Sequence, residues 1–155
     1  MAKAYLLLGS NIGDRSKYLS KAVSSIESTV GIIIYRSGIY ETGAWGYSSK
    51  NNFLNMALRV DTTLEPEELL TTLKKIEKSL GRKASAGGYS DREIDIDIIF
   101  FDDVVLETDE LTIPHPLMAE RDFVLRPLNE IAPDFVHPVL GKSVQELLGK
   151  DESKK

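Results

Sequence analysis

The stretch Asp91-Arg92-Glu93-Ile94-Asp95-Ile96-Asp97-Ile98-Ile99-Phe100-Phe101 decides how the rest of the chain is read. It alternates isoleucine with aspartate and then turns wholly apolar, so the pattern predicts a strand over 94–101. Side chains two apart in a strand share a face and lie about 6.7 Å apart. Ile94, Ile96 and Ile98 therefore enter a core, and Asp95 and Asp97 stand together on the opposite face. Two carboxylates at that spacing repel by about 0.6 kcal/mol in water and about 2.5 kcal/mol at an effective dielectric of 20. On an open surface the pair is a solvated polar face. In a cleft it needs a cation, and hard oxygen ligands favour Mg²⁺. The apolar run from Ile98 to Phe101 predicts a central strand, which favours the cleft.

Outward from this strand, charge and pattern set the frame. Between Asp91 and Glu110 nine acids face one base, Arg92, a local excess larger than the net charge of −5 carried by all 155 residues. Such a segment suits cations, and the overall charge excludes a general nucleic-acid binder, which needs a basic stripe. No apolar run reaches the roughly 20 residues that span a bilayer. The start, Met1 to Gly9, is too short in apolar length for a signal peptide and reads as a strand. With no cysteine there are no disulfides or thiolate metal sites. The expected compartment is the cytoplasm.

The coarse reading gives a strand at Tyr5–Leu8 and a helix from about Asp14 to Ser28, with Leu19, Val23, Ile26 and Val30 at helical spacing. A strand over Ile32–Tyr40, a Gly/Ser-rich loop over 41–49 and an alternating strand over Phe53–Val60 follow. Pro66 opens a second helix whose stripe is Leu69, Leu73, Ile76 and Leu80, and Gly81 suits its C-terminal cap. The order β-α-β-β-α-β predicts an α+β, ferredoxin-like core: an antiparallel sheet with helices packed on it, an α/β sandwich. Residues 106–142, with most of the prolines, are expected to form an irregular or short-stranded C-terminal extension. A short helix is expected near Ser143–Leu148. One domain covers 1–150, and 151–155 is a frayed tail.

Several further residues invite chemistry, each with an ordinary alternative. Glu77 lies at the edge of the second helix's apolar stripe, suited to an ion pair or a ligand contact. Arg82, Lys83, Arg92 and Arg121 flank the acidic pair, and guanidinium groups bind phosphate oxygens in pairs. Thr112-Ile113-Pro114-His115-Pro116 fixes a histidine between two prolines. Phe53 and Trp45 could sandwich a flat heterocycle, with Asn55 offering an amide donor and acceptor; core packing is their alternative. No P-loop, G-x-G-x-x-G or kinase catalytic-loop pattern occurs.

In this combination the chain resembles the 6-hydroxymethyl-7,8-dihydropterin pyrophosphokinase family of folate biosynthesis. The segments that carry the resemblance are Leu8-Gly9-Ser10-Asn11, Tyr40-Glu41-Thr42, Phe53-Leu54-Asn55, Pro66-Glu67-Glu68-Leu69-Leu70, Ile76-Glu77, Gly81-Arg82, Arg92 to Ile98, Ile113-Pro114-His115-Pro116 and Pro127 to Pro133. The resemblance implies transfer of pyrophosphate from Mg-ATP to the pterin's hydroxymethyl group, with AMP released. It implies two Mg²⁺ ions on Asp95 and Asp97, and a catalytic set of Arg82, Arg92, Asp95 and Asp97. ATP would meet Glu77, Arg82, Arg92, Ile98, Thr112, His115 and Arg121, with His115 and the arginines on phosphate. The pterin would meet Thr42, Gly43, Trp45, Phe53, Asn55, Tyr89 and Phe123, and the Arg82–Arg92 segment would close over the site. The chain departs from the family pattern at Gly43 and Ala44, where proline is frequent, and at Ala84, Tyr89 and Asp91, where arginine, tryptophan and proline are common. The expected partners are ATP and the reduced pterin, with no nucleic acid or membrane, for a monomer or a homodimer. The alternative from another class is a non-catalytic ferredoxin-like module that binds a small ligand.

Overall fold

The computed structural model describes residues 1–43, 52–81 and 93–152, with side chains to residue 149. Strand β1 (Ala2–Ser10) is apolar from Ala4 to Leu8 and buried on both faces, and it lies in the middle of the sheet. Helix α1 (Arg15–Thr29) starts where the Asp14 carboxylate accepts the Lys17 N–H at 3.2 Å. Its Leu19, Ala22, Val23 and Ile26 are buried.

Strands β2 (Gly31–Arg36), β3 (Tyr40–Thr42) and β4 (Phe53–Thr62) come next. Helix α2 (Pro66–Ser79) begins with Glu65 and Glu68 in a reciprocal capping box and is followed by Gly81 at φ 103°, a conformation glycine adopts without strain. Strand β5 (Asp95–Phe101) completes the sheet, whose order is β2-β4-β1-β5 with β3 also paired to β4. Every pairing in it is antiparallel. This is the strand order of the expected ferredoxin-like core.

Three features differ from the sequence reading. First, the expected strand 32–40 is two strands, β2 and β3, on the same edge of β4. Ser37 fills the break: its N–H donates to Ala57 O at 2.9 Å and its Oγ accepts the Ala57 N–H at 2.9 Å.

Second, β5 is the edge strand and not a central one. Its wholly apolar end has another cause, a register shift against Tyr5 and Leu6 that leaves Ile99 unpaired in the ladder. Ile98 and Phe101 face the α1/α2 side, whereas Ile99 and Phe100 both face the other.

Third, the extension is more ordered than its prolines suggest. The hairpin β6 (Leu106–Glu107) and β7 (Thr112–Ile113) and a 3-10 turn at Met118–Glu120 lead into helix α3 (Asp122–Ile131), and α4 (Val144–Glu152) follows. Pro127 sits inside α3, yet Val124, Leu125 and Leu128 are buried against the sheet. Two cores result. One packs α1 and α2 on the sheet, and the other packs α3 and α4 on the opposite face around Tyr5, Leu7, Ala57 and Phe100. The C-terminal helix runs to Glu152, past the end of the expected Ser143–Leu148 segment.

Candidate active site

The register of the sheet assembles the site. Gly9 of β1 pairs with Asn55 of β4 on one side and Asp95 of β5 on the other, and Asn55 pairs in turn with Tyr40 of β3. Directly paired residues share a face, so Tyr40, Asn55, Gly9 and Asp95 form one row across four strands. The next row is Ala57, Leu7 and Asp97. Leu7 and Ala57 belong to the core under α3 and α4, so Asp95 and Asp97 emerge on that face, beyond the end of the packed helices. Both aspartates are half-buried. Ile94, Ile96 and Ile98 fill the other core, as the alternation predicts.

Gly9 lies between the amide of Asn55 and the carboxylate of Asp95, about two strand spacings apart or roughly 10 Å. A methyl group at Gly9 would sit 3.1 Å from Asn55 Oδ1 and 3.5 Å from the Phe53 ring. The bare backbone there leaves a floor on which a flat molecule can lie.

Glu77 is 8% exposed, and its Oε2 accepts the Ile96 N–H at 2.7 Å. Among the described residues β5 is the outer strand of the sheet, so that N–H lies on its outer edge, between the two aspartates. Glu77 thus fixes the strand that carries them. Ile98 has the same parity as Ile96, so its side chain is core and only its main chain is offered to the edge.

His115 is set by the bulge. Its N–H donates to Ile99 O at 3.0 Å, the carbonyl beside the register shift. The Leu117 N–H donates to His115 Nδ1 at 3.3 Å, so the proton of the neutral ring sits on Nε2. Burial, and then the nearby Arg121 charge, lower its pKa from 6.5 to about 4, against the opposing pull of Asp95. The imidazole is therefore neutral at pH 7, within electrostatic reach of both Asp95 and Arg121. Arg121, 4% exposed, precedes α3, and its guanidinium lies 5.6 Å from the centre of the Phe123 ring. His137, the other histidine, is structural: it is 7% exposed, its Nδ1 accepts the N–H groups of Val139 and Leu140, and its ring meets Phe100 edge-on.

The His115 shift has a stability consequence. The unfolded chain takes up this proton below about pH 6.5, and the folded chain only near pH 4. Stability is fully present above pH 6.5 and falls as the pH drops from 6.5 towards 4, by on the order of 2 kcal/mol. Urea denaturation at pH 7 and pH 4.5 should show this slope, and His115→Ala should flatten it.

At the other end of the row, Asn55 is 2% exposed and its Nδ2 donates to Thr42 Oγ1 at 2.8 Å. Phe53 and Thr42 pair across β3 and β4, with Gly43 exposed beside them, and Phe123 is half-buried at the start of α3. Thr112 lies on β7 next to the His115 segment. Of the sequence candidates, Trp45, Arg82, Lys83, Tyr89 and Arg92, with Ala44, Ala84 and Asp91, lie outside the described residues.

The acidic run divides by role. Asp103, Glu107, Asp109 and Glu110 are exposed, and Asp102 ties β5 to β1 by accepting the Lys3 N–H at 2.8 Å. Among the described residues no group of three or more His, Asp or Glu could hold a metal. The donor set is two carboxylates, which fits Mg²⁺: that ion keeps several waters and takes one or two carboxylates together with substrate phosphates.

Residues 5–133 match the family model of 7,8-dihydro-6-hydroxymethylpterin-pyrophosphokinase. The chain belongs to that family. It is 45% identical over 146 residues to the 2-amino-4-hydroxy-6-hydroxymethyldihydropteridine pyrophosphokinase of Aquifex aeolicus, covering 94% of this chain and 90% of that one. It is also 45% identical over 129 residues to the enzyme of that name from Bacillus subtilis, covering 83% and 77%. Among solved structures, a wild-type Plasmodium falciparum HPPK-DHPS chain superposes with a TM-score of 0.80 at 19% identity. That match covers 99% of this chain and 45% of the other, so the chain spans less than half of that protein and shares the fold of that part. The pyrophosphokinase is thus an ATP-dependent diphosphotransferase of folate biosynthesis, and the non-catalytic reading is not favoured.

Two contributors were not singled out from sequence. Gly9 stood in a matching segment but had no role until the register put it between Asn55 and Asp95. Glu130 likewise stood in a matching segment, Pro127 to Pro133, but had no role until the fold brought it to Tyr40.

Proposed function

We propose that the pyrophosphokinase carries out its transfer on the face of the sheet where Asn55, Gly9 and Asp95 line up. A reduced hydroxymethylpterin lies over Gly9 with its ring edge on Asn55 and Thr42, between Phe53 and Phe123. Its hydroxymethyl arm points to Asp95 and Asp97, which would hold two Mg²⁺ ions; bound there, the ions would supply positive charge to the phosphate oxygens. The single observation that carries this reading is the row itself, which sets an amide reader and a carboxylate pair on one face across one glycine.

The hydroxymethyl oxygen attacks the β-phosphorus of ATP in line, and AMP leaves. Arg121 supplies a positive charge that the low exposure of its side chain makes effective, and His115 donates Nε2–H to a phosphate oxygen. His115 is a poor base, because its Nδ1 is already an acceptor and its pKa is near 4. Positioning and charge neutralisation, rather than proton abstraction by a side chain, account for the rate. Glu77 supports Asp95 and Asp97 through Ile96, and the main chain of Ile98, with Thr112, meets the nucleotide at the open edge. Arg82 and Arg92 add phosphate contacts, and Trp45, Gly43 and Tyr89 close the pterin pocket. No helix among the described residues is long and apolar enough to cross a membrane.

The test is one incubation with ATP, Mg²⁺ and 6-hydroxymethyl-7,8-dihydropterin. One AMP per pterin consumed is expected, with no product when EDTA is present. Release of ADP, or turnover unaffected by EDTA, would overturn the reading.

A further inference from the structure

The row Tyr40–Asn55–Gly9–Asp95 is held at its outer end by a residue far away in sequence. Glu130, in the last turn of α3, accepts the Tyr40 hydroxyl at 2.6 Å and the Gly38 N–H at 3.1 Å on each carboxylate oxygen. Gly38 lies in the break between β2 and β3, where its N–H has left the ladder. The hydrogen bond to Glu130 also raises the Tyr40 pKa above its ordinary 10.0. Glu130 is seven residues after Phe123, almost two full turns, so the two share one face of α3, roughly 10 Å apart along the axis. One rigid helix therefore carries Phe123 at one end and, at the other, the carboxylate that grips the strand bearing Thr42 and paired with Asn55.

We infer that Glu130 is a positioning residue for the pterin slot, setting the distance between Phe123 on α3 and the Thr42–Asn55 wall of the β3–β4 hairpin. The inference rests on the proposed pterin site. The wall depends on it in a defined way. Tyr40 is the cross-strand neighbour of Asn55, and Thr42, two residues on, is hydrogen-bonded to the Asn55 amide at 2.8 Å. Releasing Tyr40 and Gly38 frees β3 to shift, and an ångström-scale misplacement of substrate-binding groups costs one to two orders of magnitude. The opposite side of the hairpin has its own tie. Arg15 at the start of α1 bonds Glu41 at 3.0 Å and the Asn52 carbonyl at 2.9 Å, so the change should be confined to the pterin end.

The experiment compares wild type, Glu130→Ala, Glu130→Gln, Tyr40→Phe, the double variant Glu130→Ala with Tyr40→Phe, and Asn55→Ala by steady-state kinetics, with pterin affinity measured by calorimetry. Glu130→Ala should raise the pterin KM about tenfold while the ATP KM stays within about twofold. Glu130→Gln, which keeps one oxygen for the Tyr40 hydroxyl, should recover part of the loss. Tyr40→Phe in the Glu130→Ala background should add little, since the pair acts as a unit. If Asn55→Ala weakens pterin and Glu130→Ala leaves it within twofold, the inference falls and the slot stands. If Asn55→Ala also leaves pterin binding unchanged, the slot reading falls and takes the inference with it. A parallel rise in both KM values alongside a lowered Tm would reduce Glu130 to a stability role and overturn the inference.

Discussion

Asp97→Ala is expected to lower AMP formation by about 10³-fold or more while leaving the fold intact. The removed group is one of two carboxylates available to a divalent ion in this face, and metal-assisted charge stabilisation is worth several kcal/mol, about tenfold in rate for each 1.4 kcal/mol. Stability should change far less, because Asp97 is half-buried and its side chain belongs to neither hydrophobic core. Activity and urea denaturation measured on the same preparation separate the two effects. Asp97→Asn keeps the shape and removes only the charge, so it should lose nearly as much activity. Wild-type turnover by either variant in Mg²⁺ would remove Asp97 from the chemistry.

Phe100→Ala should act through stability, with a loss of about 3–5 kcal/mol. Phe100 is fully buried, edge-on to Tyr5 at 6.1 Å and to His137 at 5.6 Å, with Phe135 at 4.4 Å. These neighbours come from β1 and from the segment before α4, so the cavity would lie where the second helix layer meets the sheet, with little freedom to collapse. At about 2–4 °C per kcal/mol for a protein of this size, Tm should fall by about 10 °C. A loss below about 1 kcal/mol would show that the layer is not a cooperative part of the fold.

The first core was legible because its signals are local. Leu19, Val23 and Ile26 repeat at helical spacing, Pro66 and Gly81 mark the ends of α2, and the Ile/Asp alternation of β5 can be read directly. From those elements the strand order follows, and with it the shared face of Asp95 and Asp97. The second layer was hidden because Val124, Leu125 and Leu128 share a short helix with Pro127, a residue that ordinarily argues against one. The bulge at Ile99 misled in another way. It turns two consecutive side chains to one core, so an edge strand imitates the two-faced apolar pattern of a central one. The role of Glu77 was half visible. Its place beside the apolar stripe predicted burial, but its partner, a main-chain N–H on another element, has no sequence signature. Contacts such as Glu130 with Tyr40 span 90 residues and depend on the tertiary fold alone.

The position of β5 at the rim of the sheet carries one more consequence. An unpaired strand normally invites a foreign strand to zip onto it, and long apolar rims of that kind seed aggregates. Here the N–H that would start such pairing, at Ile96, is already occupied by Glu77, and the flanking aspartates would hold any approaching backbone off with negative charge. The residues read as gripping the cation therefore also serve as gatekeepers. A variant that neutralises them trades away colloidal solubility along with catalysis.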